Sequence, residues 1–358
     1  MIRRLIPLLL VVALPLARAV NAQDEFWQTK TALGWQALQQ GRYAAAEQLF
    51  SEAMTEAKKA DGTQQRVAIV TSYLADLRRK QGRYAESESL TAQALALVPT
   101  NGTAGLLRST LLHKLGQLFA DQGKYAQAEP LYRQSLAEAQ KMLGPEHERV
   151  AAMLSNLGQL YIAKRKFGRA KDMLERARTM WEMLRLPEDP QFATILSNLA
   201  AVYYEQRKYV PAETLYKRAL AIQEQSLGPE HISVARDLNN LATVYLDMER
   251  YPEAEPLYQR ALVIGEHSSA SELLVAQTLH NLAELYRKDY RYEEAETFYK
   301  RAAEGWEKAL GPENPEFIRK LELLATAYRA MALYIEAGNL QNRASEIRVR
   351  NSFRAQSK

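Results

Sequence analysis

The stretch LSNLAAVYYEQRKYVPAETLYKRALAIQEQSLGPEH, residues 196–231, decides the fold, because the chain repeats it on both sides. Upstream, Ser155-Asn156-Leu157-Gly158 leads through Tyr161 and Lys166-Phe167 to Ala170-Lys171 and Arg176-Ala177. Downstream, Asn239-Asn240-Leu241-Ala242 leads through Tyr245 and Arg250-Tyr251 to Ala254-Glu255 and Arg260-Ala261. The asparagines Asn156, Asn198 and Asn240 stand 42 residues apart, and Asn281 follows 41 residues later. An aromatic register at Tyr43, Tyr84, Tyr125, Phe167, Tyr209, Tyr251, Tyr292 and Tyr334 extends the pattern to about eight units. A fixed period of this size predicts a solenoid, in which each unit buries its apolar face only against its neighbours.

One unit reads as two helices. Ile195-Leu196, Leu199-Ala200 and Tyr203 recur at helical steps, Gln206-Arg207-Lys208 breaks the pattern, and Ala212, Leu215-Tyr216 and Ala219-Leu220 resume it. Pro211 sits in the first turn of the second helix, where its missing N–H costs little. Gly228-Pro229 closes the unit, since glycine suits a helix C-terminus and proline prevents continuation. With strand signals absent, the expected fold is all-α. Small residues hold fixed places: Gly158, Ala200, Ala242, Ala283 and Ala325 on first helices, and Ala128, Ala170, Ala212, Ala254, Ala295 and Ala337 on second helices. They predict close helix crossings, with the following aromatic, such as Tyr161, Tyr203, Tyr245 or Tyr286, filling the gap between units.

These features resemble the tetratricopeptide repeat over roughly residues 24–348, implying a right-handed superhelix of about eight helical hairpins. The common form has a period of 34; the longer period, the Asn-Leu-Ala run and the closures Leu143-Gly144-Pro145-Glu146-His147 and Leu227–His231 resemble kinesin light chains. Their N-terminal heptad coiled coil is missing here. Departures mark ends and bends: Arg78 takes the place of a packing tyrosine, Leu323 the place of the asparagine, and Ser268-Ser269-Ala270-Ser271 replaces a Leu-Gly-Pro closure. The polar, basic segment 349–358 is expected to fray.

The N-terminus differs from the rest. Arg3 and Arg4 precede an uncharged run from Leu5 to Ala17 and small residues at Ala19–Ala22. A run this short does not span a bilayer, which needs about 20 apolar residues, so residues 1–22 read as a secretory signal peptide. Cleavage is expected after Ala22 or Ala19, a retained anchor being the alternative. Removing Arg3, Arg4 and Arg18 lowers the net charge from +5 to +2. Weak and evenly spread along the repeats, that charge argues against a nucleic-acid stripe and a polybasic membrane patch, and no stable membrane insertion is expected after cleavage. The chain has no cysteine, so an exported product relies on stacked helices rather than disulfides. The expected location is periplasmic or extracellular.

First helices of such a stack line the inner wall. The asparagines lie about 200° around the helix from the small seam residues, which aims them toward a groove. Asn156, Asn198, Asn240 and Asn281, with Asn239, are therefore the candidate peptide-binding row, each offering a donor and an acceptor. The resemblance to kinesin light chains implies the same use. The alternative is that each asparagine ties its own helix to the next loop. Lys114, Arg236, Arg287 and Lys288 on the same arc are candidates for choosing partners, because arginine grips carboxylates in two parallel bonds.

Chemistry is not written into the chain. No nucleophile elbow, zinc-protease motif or phosphate loop occurs, and His280 with Glu284 supplies too few ligands for a metal site. His147 and His231 recur in equivalent loops, which points to loop closure rather than catalysis. Asn101-Gly102-Thr103 matches a glycosylation acceptor. The expected function is a non-enzymatic, cofactor-free interaction scaffold of the cell envelope that holds a protein or peptide partner. A self-assembling structural subunit, a homo-oligomer, is the alternative.

Overall fold

A computed structural model describes residues 22–59, 63–99, 104–184, 189–268 and 272–356. The signal-peptide segment before Ala22, the Asn101-Gly102-Thr103 acceptor and Ser269-Ala270-Ser271 lie outside the described residues. Among the described residues there are sixteen α-helices and no strand, an all-α repeat solenoid.

Contacts divide the chain into two units, Met1–Met180 and Trp181–Lys358. The first holds α1 (Ala22–Gln39), α2 (Tyr43–Ala57), α3 (Thr63–Lys80), α4 (Tyr84–Ala96), α5 (Gly105–Asp121), α6 (Tyr125–Leu143), α7 (Glu148–Ala163) and most of α8 (Phe167–Met183). The second holds α9 (Pro190–Glu205), α10 (Tyr209–Leu227), α11 (Ile232–Asp247), α12 (Tyr251–His267), α13 (Glu272–Lys288), α14 (Tyr292–Leu310), α15 (Pro315–Ala330) and α16 (Tyr334–Gln356). In each unit, odd-numbered helices are the first members of hairpins and even-numbered helices the second. Within each unit a second helix packs on the first helix that follows, as α2 on α3, α6 on α7, α10 on α11 and α12 on α13, and first helices also touch one another, as α11 touches α9 and α13.

The punctuation works as its residue types dictate. The turn inside each hairpin needs one residue in the left-handed region, supplied by Gly41, Gly82 and Gly123 in the first unit's early repeats. Hairpin loops open on caps: the Nδ1 atoms of His147 and His231 accept from the amides of Arg149 and Ser233 at 3.1 and 3.2 Å. Asp189 and Asn314 do the same work for α9 and α15. The recurrent histidines are thus helix N-caps.

Small residues sit at the crossings. Ala200, Ala212, Ala242, Ala254, Ala283 and Ala295 are completely buried in the second unit's core. In the first unit Gly158 is wedged against Leu174. The aromatic that follows is buried and anchored by its hydroxyl. Tyr161, Tyr245 and Tyr286 donate to Glu129, Glu213 and Glu255 on the preceding second helix at 3.1, 3.0 and 2.8 Å. Arg250 and Arg291, from the turns, cover the Tyr245 and Tyr286 rings at 4.3 and 4.2 Å and pair with the same glutamates. Arg78, which breaks the aromatic pattern, preserves the clamp: its guanidinium reaches Glu47 through two nitrogens, at 3.1 and 2.5 Å.

The C-terminal segment departs from expectation. α16 continues through Val349 to Gln356 instead of fraying, and Asn351 Nδ2 donates to the Glu313 carbonyl at 2.8 Å. That bond ties the added turns to the α14–α15 loop.

Gly158 tests the crossing rule. A Cβ there would lie 2.6 Å from Leu174 Cγ. Although alanine is the better helix former, Gly158→Ala should lower stability by about 1–3 kcal/mol through overpacking, read from thermal unfolding by circular dichroism.

Candidate binding surface

The first-helix walls carry the candidate residues, and each unit presents its own stretch. In the first unit Asn156 is half-buried on α7, its Nδ2 lying 3.0 Å from His113 Nε2 on α5. One side-chain hydrogen bond thus joins the two first helices. Burial, helped by the Lys114 charge, pushes the His113 pKa down to about 4. Lys114 is held in place: it pairs with Asp76 at 2.7 Å, donates to Ser72 Oγ at 3.0 Å and lies 4.6 Å from the Tyr73 ring centre.

In the second unit the polar groups form a chain across three helices. Lys320 Nζ on α15 lies 3.4 Å from Gln277 Oε1 on α13. Gln277 Nε2 donates to Asn281 Oδ1 at 3.0 Å, and Asn281 Nδ2 donates to Asn239 Oδ1 on α11 at 3.1 Å. Thr243 Oγ1 is a second acceptor for Asn281 at 3.4 Å. Asn239 is buried. The tie made by Asn156 and Asn281 runs to the first helix of the preceding repeat, at the position just before the asparagine register (Lys114 or Asn240), and not to a loop.

The cations divide in the same way. Arg287 pairs with Glu284 at 2.8 Å. Glu284 also accepts from Tyr299, and its carboxyl is held below the usual range although burial opposes this. Lys288 pairs with Asp247 at 3.2 Å, and Asp247 accepts from Tyr204 at 2.6 Å. On the second-helix side a regular ladder repeats: Arg218–Glu182, Arg260–Glu224, Arg301–Glu266 and Arg343–Glu307. Against that background two members of the row stand apart. Arg236 is exposed and has no ion pair among the described residues. Asn240, one turn further along α11, is half-buried and its side chain makes no hydrogen bond among the described residues. Asn198 is half-buried on α9. The sequence reading missed the partner position itself, although the Asn239-Asn240 doublet and His113 and His280 at equivalent places carried that signal.

The described residues contain no group of three or more His, Cys, Asp or Glu able to hold a metal ion. No described helix is long and apolar enough to cross a membrane.

Tetratricopeptide repeat patterns match residues 31–102, 107–183, 155–226, 191–266 and 275–316, together more than half of the chain. The chain belongs to the tetratricopeptide repeat family. No curated protein matches it by sequence. Among solved structures it is similar to BtubC (BKLC) from P. vanneervenii, at 24% identity and a TM-score of 0.52, over 66% of this chain and 92% of that one. It is also similar to a Rap protein complexed with Competence and Sporulation Factor, at 14% identity and a TM-score of 0.62, over 91% and 98% of the two chains. The quorum sensor NprR from B. thuringiensis matches at 15% identity and a TM-score of 0.64, over 92% and 89%. At these identities the likeness is one of fold.

The hydrogen-bond pattern separates asparagines that look alike in sequence. Asn281→Ala should cost about 1–2 kcal/mol, because it strands buried Asn239 and half-buried Gln277. Asn240→Ala should leave the melting temperature unchanged. Thermal unfolding of the two variants side by side checks both expectations.

Proposed function

We propose that this tetratricopeptide repeat protein is a non-enzymatic interaction scaffold of the cell envelope that holds an extended peptide or partner helix on its first-helix wall. Repeats of this family make protein-interaction scaffolds, generally without catalysis. The observation that carries the reading is the uncommitted pair on α11. Arg236 and Asn240 lie one turn apart on a wall whose other candidate cations are engaged within the protein. An arginine offers a forked donor and the asparagine a donor and an acceptor, a set suited to a carboxylate and peptide backbone. A fold relative complexed with another factor, the Rap protein, is compatible with this use. The envelope location rests on the leader-like N-terminus, Arg3-Arg4 followed by Leu5–Ala17.

The test is capture from an envelope extract with the chain from Gln23 and with its Arg236→Ala/Asn240→Ala double variant. A partner held by the first and lost from the still-folded second is the expected result; at micromolar affinity, about −8 kcal/mol, the loss should be tenfold or more. Equal capture by both would move the site off α11. Cell fractionation checks the location, and a cytosolic full-length product would overturn it.

Self-assembly has one observation in its favour. The terminal helix α16 exposes Ile335, Val349 and Phe353 at 77%, 53% and 66% of their surface, more than an isolated apolar residue on a finished cap. A light-scattering mass that stays monomeric across concentration would exclude it.

A further inference from the structure

One buried acid in the second unit is left unexplained by the repeat. Asp237 on α11 is 2% exposed, at a position where the preceding repeat has the buried Ile195 and the next has the buried Thr278. The packing therefore does not require a carboxyl there. Its surroundings span three helices. Ser197 Oγ on α9 donates to Asp237 Oδ1 at 2.7 Å. The side chain of Gln223 on α10, 4% exposed, acts on the carboxyl from the third helix and opposes the effect of burial. Two atoms of this cluster lack a partner among the described residues, Asp237 Oδ2 and Gln223 Oε1. Both are acceptors when the acid is ionised, so what the seam lacks is a donor. The neighbouring charges do little to replace it. Among the described residues Arg236 is the cation that acts on Asp237, but its side chain is exposed. Tyr216, buried on α10, feels Asp237 as a repelling charge that raises its own pKa beyond what burial does.

We propose that Asp237 is a proton-binding site built into the α9–α10–α11 seam, with the protonated seam the tighter state and ionisation loosening it. A proton on Oδ2 turns the unpartnered acceptor into a donor and removes the uncompensated buried charge. Burial is also the main influence on its acidity, pushing the pKa from 3.8 up to about 6, against the opposing hydrogen bond from Ser197 and the charge of Arg236. The sign follows from linkage. A carboxyl that holds its proton more tightly when folded favours folding fully below its unfolded pKa, and that contribution is lost as pH rises through the folded value. The sensitive window thus runs from about pH 4 to about pH 6, and the shift corresponds to roughly a hundredfold in the unfolding equilibrium. Buried His113 and His280, both with lowered pKa values, act in the opposite direction over the same range, so the effect must be read as a difference between variants. The inference does not depend on what the first-helix wall binds.

The experiment is a carboxyl carbon NMR titration of the whole chain from Gln23 with labelled aspartate, using Asp237→Asn to assign the resonance. A midpoint near pH 6 is expected for Asp237, moving higher in Ser197→Ala, which removes the donor to the ionised form. In parallel, the ratio of unfolding constants of wild type and Asp237→Asn should change by about a hundredfold between pH 4 and pH 7.5. Asp237→Thr, which copies the next repeat, serves if the asparagine variant does not fold. A midpoint at or below the ordinary aspartate value, or a ratio that does not vary with pH, would overturn the proposal.

Discussion

The close crossing of two helices at a pair of small residues is the constraint on which each repeat rests. Ala200 and Ala212, Ala242 and Ala254, and Ala283 and Ala295 are each sealed from solvent. A helical hairpin of this length cannot bury its own apolar face. The crossing has to be tight enough for the next repeat to cover what remains. Tightness leaves a gap on one side, filled by Tyr245 or Tyr286, whose hydroxyl then falls beside a glutamate of the previous second helix. Glutamate draws in an arginine from the turn, and that arginine covers the ring. One steric decision thus organises a hydrophobic contact, a hydrogen bond and an ion pair. Arg78, reaching Glu47 directly, shows that the glutamate's partner matters more than the ring that delivers it.

The same periodicity governs the charges. Ladders of Arg–Glu pairs on the second-helix side and pairs such as Lys288–Asp247 on the first-helix side neutralise most cations locally. Exposed pairs of this kind add little stability each. Their larger effect is on recognition, because a paired cation presents little net field to a partner. That makes the exceptions informative. Arg236, Asn240 and the buried Asp237 all belong to α11, and each has polar atoms that its neighbours among the described residues leave unengaged.

Repetition also separates structure from function in the asparagine row. A side chain tied to the previous first helix, as Asn281 is to Asn239 and Asn156 is to His113, can recur for structural reasons alone. A side chain at the same register without a partner cannot be explained that way. Asn240 holds the same register as Asn198, but it follows Asn239 where the earlier repeat has Ser197, and Ser197 turns its hydroxyl to Asp237 on the following first helix.

By itself the sequence determined the all-α repeat architecture, the hairpin boundaries, the small-residue crossings and the capping loops. These depend on local periodicity and on residue types with few conformational options, such as Gly123 in its turn and Pro190 at the start of α9. It also identified the row of candidate residues, since a register places side chains on a face. Only the tertiary structure decided which of them are engaged. Lys114 is locked to Asp76, Arg287 to Glu284 and Asn281 to Asn239, while Arg236 and Asn240 are not held. The register of one helix fixes a direction, but a hydrogen bond requires the partner atom on another helix, and the packing between repeats is what sets that distance.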